Sequence, residues 1–388
     1  LNMVPANIQI ASPKDINKQT GVSIADFMAN NLQGVTVSDR GGNPYQPEIN
    51  LRGYSASTLL GTPQGISTYV DGVRVNEPFG DVTLWDKIPS FAISSMQLVP
   101  GSNPIYGLNT LGGAIAIQTK NGRDNQGAAI ESEFGSWGRV RHLIEYGGVT
   151  KDNSIDYYLG YQNSKEDGWR QYSPSRTNQL FSKVGWQNEK SRLELSYMAA
   201  DNKLTGLGFT PEYLLGPERD QIHTRPDTTD NYSHNFTLNG STWLNDHTMV
   251  SGNAYYRKSN RYTANGDMWE ESVANGQPLS GYTEMANGNT LGNCVHVGGC
   301  VLVGSVMNTS QTRQDTYGVQ AQISFDKDLF GKKNLLNIGS GLDFTNLMFG
   351  QYEQINISTA GQDQYFTTCY SSPAYPCSTS SAAGGVFD

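Results

Sequence analysis

The sequence predicts a membrane β-barrel preceded by a small α+β domain. No stretch approaches the roughly 20 consecutive apolar residues of a transmembrane helix, which excludes a helical membrane protein. From about residue 126, apolar and polar residues alternate in segments of roughly ten residues, and the turns between them are alternately short and long. The 43 glycines and 21 tyrosines suit tight turns and interfacial aromatic girdles.

Residues 1–122 are predicted to form a compact globular domain, because short apolar runs, glycine turns and one helical segment are mixed there. Ser23 and Asp26 resemble a capping box, and Ile24, Phe27 and Met28 follow at helical spacing. Strand-like runs at 8–10, 35–37, 66–70, 96–99 and 114–118 are expected around this helix.

Residues 123–388 are predicted to form the N-terminal portion of the barrel. About nine strands are expected, starting near 127, 138, 154, 178, 191, 230, 247, 314 and 334. Nine strands cannot close an even-stranded bacterial barrel, and a lumen that holds a whole domain requires a barrel of about 22 antiparallel strands. We therefore expect this chain to hold only the first part of the barrel.

The connections predict the orientation of the barrel. Those at 150–153, 188–191, 245–248 and 327–333 are short and polar, whereas those near 165–177, 201–229, 264–312 and from 350 onward are long and rich in Gly, Asn, Ser and Thr. Bacterial barrels have short periplasmic turns and long outer loops. The long connections are therefore expected outside the cell.

The charge and the cysteines exclude some functions. A net charge of -9 argues against nucleic-acid binding. Cys294 with Cys300 and Cys369 with Cys377 form two pairs close in sequence, which predicts loop disulfides made in an oxidising compartment. A metal site with His296 is less favoured because a fourth ligand is not evident nearby, so we expect neither a metal nor a cofactor. No catalytic motif is evident, so we expect no enzymatic activity.

Five motifs in residues 4–120 together resemble the plug domain of TonB-dependent outer-membrane receptors. In chain order they are Val4-Pro5 with residues 8–10, residues 31–37, Asn50-Leu51-Arg52-Gly53, Tyr69-Val70-Asp71-Gly72-Val73, and Tyr106-Gly107 with residues 112–115. Each motif is weak alone. The five motifs occur in the family's order and spacing, and the alternation typical of barrel strands follows them. Together they make the resemblance specific.

The resemblance implies active uptake of a scarce ligand across the bacterial outer membrane, most often a ferric siderophore or a similar metal chelate. The barrel would be monomeric and in contact with outer-membrane lipid and lipopolysaccharide. TonB would be the periplasmic partner, and its binding segment, the TonB box, is expected upstream of Val4 and outside this chain. The alternative is a passive or structural barrel, such as a porin or adhesin, with a sealing plug.

The resemblance also suggests which residues hold the plug in place. It gives Arg52 the role of a buried plug residue that pairs with barrel carboxylates. The family's second arginine, in an L-R-G-P segment, is missing because residues 99–102 are Val, Pro, Gly and Ser here. This sequence therefore lacks one of the two arginines expected to hold the plug to the barrel through ion pairs.

Three plug turns, at about 40–48, 55–65 and 78–86, are candidate apices that contact the ligand. The candidate residues are Arg40, Asn43, Tyr45 and Gln46 in the first turn and Phe79, Asp81 and Trp85 in the last. Aromatic side chains among a few polar groups suit an organic chelate or a ring system. Phe79 and Trp85 could equally pack the plug against the barrel wall, and both interpretations stay open.

Overall fold

The computed structural model describes residues 8–16, 24–101, 107–208, 219–222, 224–268 and 302–359, with short strands at 273–274, 277–278, 284–286, 289–291 and 364–365. None of the helices in these ranges has the length and apolar character needed to cross a membrane.

The N-terminal part of the chain contains short strands and two helices. The strands are β1 (Gln9–Ala11), β2 (Val35–Ser38), β3 (Glu48–Leu51), β4 (Tyr54–Ala56), β5 (Ile66–Val70), β6 (Val73–Arg74), β7 (Ile93–Pro100) and β8 (Gly113–Thr119). The helices are α1 (Pro13–Ile16) and α2 (Ile24–Asn31), and two 3₁₀ turns lie at Trp85–Lys87 and Ser90–Ala92.

Two small sheets and α2 enclose the core of this plug. One sheet has the strand order β1-β7-β8-β5-β6, with β5 and β8 parallel, and the other has the order β2-β3-β4. The predicted helix is confirmed as α2, whose Phe27 and Met28 are 1% and 0% exposed. Burial of these side chains, together with Ile66, Met96 and Ile117 from the larger sheet, fixes the helix on the sheets.

Nine long strands follow and form one antiparallel sheet in chain order. They are β9 (Gly127–Phe134), β10 (Val140–Val149), β11 (Ile155–Glu166), β12 (Ser175–Gln187), β13 (Ser191–Thr205), β15 (Thr228–Asn245), β16 (Thr248–Met268), β21 (Leu302–Phe325) and β22 (Leu336–Thr359). The short strands between and after them are β14 (Thr224–Arg225), β17 (Val273–Ala274), β18 (Gln277–Pro278), β19 (Glu284–Ala286), β20 (Asn289–Leu291) and β23 (Gln364–Tyr365).

The predicted strands are all present, and eight of the nine begin within a few residues of the expected position. The exception is β21, which begins at Leu302 and not near 314. Its extra residues pair without interruption with β22, from Leu302 opposite Thr359 to Arg313 opposite Met348. A paired ladder satisfies the backbone without an apolar face, so this segment carries no hydrophobic alternation that would reveal it in the sequence.

The two faces of the sheet differ as period-two alternation requires. Along β12, Thr177, Gln179 and Lys183 are buried on one face, whereas Val184 and Trp186 on the other face are 51% and 42% exposed. The buried face carries polar groups that contact the plug. The outer, apolar face is the one that meets lipid in a membrane barrel.

The plug contacts the inner face of the sheet through an apolar cluster. Phe91 and Ala92 of the plug pack with Leu143, Tyr158, Phe181 and Met198 of the wall. Gly160 on β11 makes this contact possible, because a Cβ at this position would collide with the Phe91 ring. The glycine therefore provides space for a plug side chain.

We expect Phe91→Ala to lower the free energy of unfolding by about 3–5 kcal/mol, the usual cost of removing a buried phenylalanine ring. Urea unfolding of the detergent-solubilised protein, followed by tryptophan fluorescence, measures the change. Phe134→Ala is the matched control, because Phe134 is 75% exposed, and it should change the free energy by less than about 0.5 kcal/mol.

A double-mutant cycle tests the contact itself. Gly160→Ala alone should destabilise the protein through the collision with Phe91, and the same change in the Phe91→Ala background should cost much less. Equal costs in the two backgrounds would show that Phe91 does not seat against Gly160.

Candidate functional site

A cleft opens at the end of the sheet that carries the long connections. Its volume is about 340 Å³, within the roughly 300–1,000 Å³ of small-molecule sites. Three segments that are distant in sequence line it: plug residues 39–44, the β9–β10 hairpin at 133–139, and the β11–β12 connection at 166–173. A ligand in this cleft would therefore touch the plug and the barrel together.

Two of the predicted apex residues hold the plug against the barrel wall. Asn43 is 1% exposed, and its Nδ2 donates to Ser175 Oγ and to the Thr205 carbonyl, both at 2.7 Å. The Tyr45 hydroxyl lies 2.9 Å from Ser164 Oγ on β11. Asn43 borders the cleft, but both side chains are occupied by contacts between plug and wall.

Gly42 allows this close approach. Its φ is +59°, and a Cβ there would collide with the backbone of Leu207. Only glycine adopts that backbone conformation without strain while leaving space for the neighbouring chain.

The other two residues of the first apex have different surroundings. Gln46 is 4% exposed, and its Nε2 has no hydrogen-bond partner among the described residues. Arg40 is half exposed and pairs with the buried Glu48 at 3.8 Å. Neither residue lines the cleft.

The charged groups of the cleft are mostly paired within the protein. Arg139 lies 3.5 Å from Glu133. Arg170 donates to the carbonyl groups of Gly208 at 2.9 Å and Gln221 at 3.0 Å. Burial raises the pKa of Asp39, although the Asn43 backbone and Arg170 oppose the shift.

Two tryptophans give the cleft its aromatic surface. Trp137, at the tip of the β9–β10 hairpin, is 63% exposed, and Trp169, in the β11–β12 connection, is 51% exposed. Asp167 N donates to the Trp137 carbonyl at 2.9 Å, which joins the two connections. Neither tryptophan was predicted as a site residue, because single aromatic residues in polar loops belong to no motif.

The third predicted apex is tied to the plug core and the wall. Trp85 is 3% exposed, packs in the plug core and donates from Nε1 to the Ala56 carbonyl at 3.3 Å. The Phe79 ring lies 4.4 Å from the ring of Phe349 on β22. These contacts favour the packing interpretation for both aromatic residues.

Asp81 in the same segment forms an ion pair with Arg74. Burial raises the pKa of Asp81, and the Arg74 charge opposes this shift. Asp81 therefore joins two parts of the plug, and the cleft is lined by other residues.

A buried polar layer joins the 77–87 segment of the plug to the barrel wall. Lys87 lies 3.2 Å from Glu77 and also donates to Ser259 on β16. Glu77 lies 4.0 Å from Arg257, and Arg261 donates to the Thr58 carbonyl at 3.0 Å. Acidic groups of the plug thus face basic groups of the wall.

Asp86 anchors the same layer on the neighbouring strands. Its Oδ2 accepts hydrogen bonds from Asn202 Nδ2 at 2.9 Å and Asn231 Nδ2 at 2.7 Å, and its carbonyl accepts from Gln179 Nε2 at 2.6 Å. These anchors were not predicted from the sequence. One indication was present, since Arg257, Ser259 and Arg261 alternate on the inner face of β16, where a buried charge requires a partner.

Further ion pairs lie toward the end of the sheet with the short turns. Asp71, in the predicted Asp-Gly turn, lies 2.9 Å from Lys183 on β12. Lys120, directly after β8, lies 2.9 Å from Glu145 on β10. The plug therefore contacts the wall at several levels between the long-connection end and the short-turn end of the sheet.

The nine described strands do not bury Arg52, so its pairing with barrel carboxylates stays a prediction. The side chain is exposed, and among the described residues it makes no ion pair with a barrel carboxylate. Arg52 and Gly53 form the two-residue turn between β3 and β4, with φ of 51° and 89°. Such a turn points its side chains away from the sheet, which accounts for the exposure.

Some predictions fall outside the described residues. These are the cysteine pairs Cys294–Cys300 and Cys369–Cys377, the opening Val4-Pro5, and Tyr106. Within the ranges that the structure describes, no cluster of three His, Cys, Asp or Glu side chains could hold a metal ion.

Comparisons with known proteins match the plug most directly. Residues 1–114 match the family model described as the TonB-dependent Receptor Plug Domain. The vitamin B12 transporter BtuB of Vibrio vulnificus (strain YJ016) is 33% identical over 117 residues, which are 30% of this chain and 18% of that protein. The ferric aerobactin receptor of Klebsiella pneumoniae is 32% identical over 105 residues, which are 27% and 13%. The matched region therefore spans less than a fifth of each relative.

Solved structures resemble the whole described fold. The ferripyoverdine receptor of the outer membrane of Pseudomonas aeruginosa gives a TM-score of 0.68 at 12% identity, covering 90% of this chain and 43% of that one. The siderophore receptor PiuA of Acinetobacter baumannii gives 0.63 at 18% identity, covering 92% and 48%. At these identities the similarity shows the fold, a plug inside part of a membrane β-barrel.

We expect Glu77→Gln to destabilise the protein by about 3–5 kcal/mol at neutral pH, because it leaves Lys87 and Arg257 buried without their counter-charge. Burial acts to raise the pKa of Glu77, but the charges of Lys87, Arg257 and Arg261 outweigh it and lower the pKa below its usual 4.5. The ionised carboxylate therefore stabilises the fold fully above about pH 4.5, and this contribution is lost as the pH falls through the lower, folded-state value.

The difference in melting temperature between wild type and Glu77→Gln should shrink as the pH falls below 4.5. Glu189→Gln is the control, because Glu189 is exposed in a turn, and it should show no difference at any pH. A Glu77→Gln difference that stays constant through this acid range would contradict the buried ion pair.

Proposed function

Because the chain belongs to the TonB-dependent receptor family of the bacterial outer membrane, we propose that it takes part in active uptake of a ferric siderophore or a similar metal chelate, with TonB supplying the energy. The observation that carries the proposal is a plug docked on the inner face of the barrel wall, with a cleft between its apex and the long connections.

The names of two relatives support a chelate as the ligand. One is a vitamin B12 transporter and the other a ferric aerobactin receptor. Vitamin B12 holds cobalt and ferric aerobactin holds iron, so each is a metal ion in an organic chelator. The similarity lies mainly in the plug, so it supports the mode of transport more than the choice of chelate.

The cleft supports ligand capture at the outer end of the barrel. Trp137 and Trp169 offer ring faces, and Asp39 and Ser173 offer polar groups nearby. Apolar walls with a few polar groups are typical of sites for organic ligands. This role requires binding and release, without catalytic chemistry.

The plug contacts support a barrier that can be moved. Buried ion pairs and amide hydrogen bonds hold the plug to the wall on β12, β13, β15 and β16. Such groups lose hydration when they dock and regain it when they separate, so their net contribution to docking is small. TonB could therefore displace the plug without exposing a large apolar surface.

We expect host cells that express the gene to accumulate one labelled ligand from a panel of ferric siderophores, cobalamin and haem. Uptake should be lost when either this gene or TonB is disabled, because movement of the plug against its docked state requires energy. Whole-cell accumulation of the label measures this. Uptake that persists without TonB would favour the passive barrel with a sealing plug.

We expect Trp137→Ala with Trp169→Ala to weaken ligand binding at least about tenfold, since buried aromatic contacts often contribute 2 kcal/mol or more to binding. Binding of the transported ligand to the purified full-length protein measures the effect. Trp243→Ala is the control, because Trp243 lies near the short-turn end of β15 and is 42% exposed. Unchanged affinity in the double variant would place the ligand elsewhere.

A further inference from the structure

A buried carboxyl group lies among the outer connections of the barrel wall. Asp227 stands directly before β15, in the long connection that follows β13, and it is 2% exposed. Its Oδ1 accepts a hydrogen bond from the backbone N–H of Gly266 near the outer end of β16. Its Oδ2 accepts from Thr224 Oγ1 on β14 at 2.9 Å and from the Gly208 N–H at 3.3 Å. This carboxyl group therefore joins β14 to the outer ends of β13 and β16.

The carboxyl group of Asp227 has hydrogen bonds but no counter-charge in direct contact. Among the described residues, no base lies within ion-pair distance of it. Arg170 of the β11–β12 connection acts on it from farther away. The Arg170 guanidinium donates to the carbonyl groups of Gly208 at 2.9 Å and Gln221 at 3.0 Å, and its charge also acts on Asp39. The positive charge of Arg170 is therefore shared among several acceptors.

The other segments packed around the carboxyl group bring little charge to it. Arg225, two residues before Asp227, places its guanidinium 4.0 Å from the centre of the Tyr172 ring. The segments 205–208 and 263–266, which hold two of the three hydrogen-bond donors, contain no titratable side chain. These two segments therefore bind the carboxyl group through backbone N–H groups alone.

Burial without a counter-charge makes the ionised form of Asp227 costly, so the protonated form is favoured in the folded protein. Burial accordingly raises the pKa of Asp227 from 3.8 to about 6, although the hydrogen bonds from Gly266, Thr224 and Gly208 and the charge of Arg170 oppose the shift. This residue lies in an outer connection, beyond the membrane-spanning part of the strands.

The sign of the pH dependence follows from this difference. When the connected segments separate, the carboxyl group is hydrated and titrates near its usual value of 3.8. The pKa in the joined state is higher, so the stability that protonation adds is complete below about pH 3.8. It is lost as the pH rises through about 6. Acidification from neutral pH therefore strengthens the junction.

The junction also supports the plug. The Gly206 N–H donates to the Asp227 carbonyl at 3.0 Å. The Thr205 carbonyl accepts from Asn43 of the plug at 2.7 Å. The backbone of Leu207 lies so close to the first plug apex that only a glycine fits opposite it. The segment 205–208 therefore contacts Asp227 on one side and the plug apex on the other.

We propose that Asp227 is a proton-dependent clasp, whose protonated form holds β14 and the outer ends of β13 and β16 together more firmly than its ionised form does. In mildly acidic medium the segment 205–208 stays docked against the plug apex, and at neutral pH it separates more readily. Arg170 lines the cleft and bonds to Gly208 in this segment. The effect on ligand capture in the cleft rests on the proposed function, whereas the clasp itself requires no ligand.

The test is amide hydrogen exchange of the full chain in detergent, followed by mass spectrometry and corrected for the intrinsic pH dependence of exchange. Between pH 7.5 and pH 5, protection of the amides in 205–208 and 264–266 should rise by roughly tenfold, as linkage to this carboxyl group requires. Peptides from the middle of β12 at 180–184, far from the clasp, should show equal protection at both pH values.

Three variants separate the carboxyl group from its surroundings. Asp227→Asn is neutral at every pH and should abolish the pH dependence in both segments. Asp201→Asn is the matched control, because Asp201 is an exposed carboxylate near the outer end of β13, and it should behave as wild type does. Thr224→Val removes a hydrogen bond that favours the ionised form, so it should move the midpoint of the pH dependence upward.

The Thr224→Val variant keeps the proposal testable if Asp227→Asn does not fold. Equal protection of the two segments at both pH values in wild type would overturn the proposal. An unchanged pH dependence in Asp227→Asn, or a midpoint that does not rise in Thr224→Val, would overturn it as well. Exchange is measured without ligand, so its result is independent of whether the chain takes part in uptake.

Discussion

The position of the plug depends on charge buried between it and the barrel wall. The side chains of Glu77, Lys87 and Arg257 are each 8% exposed or less. Buried ions repay their lost hydration only when partners and hydrogen bonds are correctly placed. A shift of β16 by one residue would turn Arg257 and Arg261 toward lipid, so this layer also fixes the register of the strand relative to the plug.

The layer is not fully satisfied by hydrogen bonds. Among the described residues, Asp86 Oδ1, Arg257 Nε and Arg261 Nε have no partner. Groups in this state gain hydration when plug and wall separate, whereas the apolar cluster around Phe91 loses contacts and exposes surface. The polar layer therefore favours a plug that docks specifically yet separates at modest cost, and the apolar cluster sets the resistance to separation.

The regular parts of the fold could be predicted from the sequence. Period-two alternation located the barrel strands, and helical spacing located α2, because each pattern follows from burying one face of one element. The upper half of β21 could not be predicted, since its stability comes from pairing with β22 and leaves no apolar pattern. The motif around Arg52 gave the position of this residue in the chain but not the direction of its side chain, which depends on the β3–β4 turn.

The candidate site was the hardest part to predict. Part of the first predicted plug apex lines the cleft, yet Asn43 and Tyr45 hold the wall, and the exposed aromatic surface comes from Trp137 and Trp169 in the barrel connections. A cleft made by segments that are about 30 to 130 residues apart depends on tertiary packing, which local patterns do not encode. Charged residues facing the lumen gave an indirect signal, because a buried charge on a barrel strand implies a partner on the plug.

Strand β12 contacts the plug along most of its length. Ser175 accepts from Asn43 at the outer end, Gln179 donates to the plug backbone, Phe181 packs on the apolar cluster, and Lys183 pairs with Asp71 toward the other end. A tilt of the plug away from this strand would break contacts at all four heights together, so the strand acts as a continuous support.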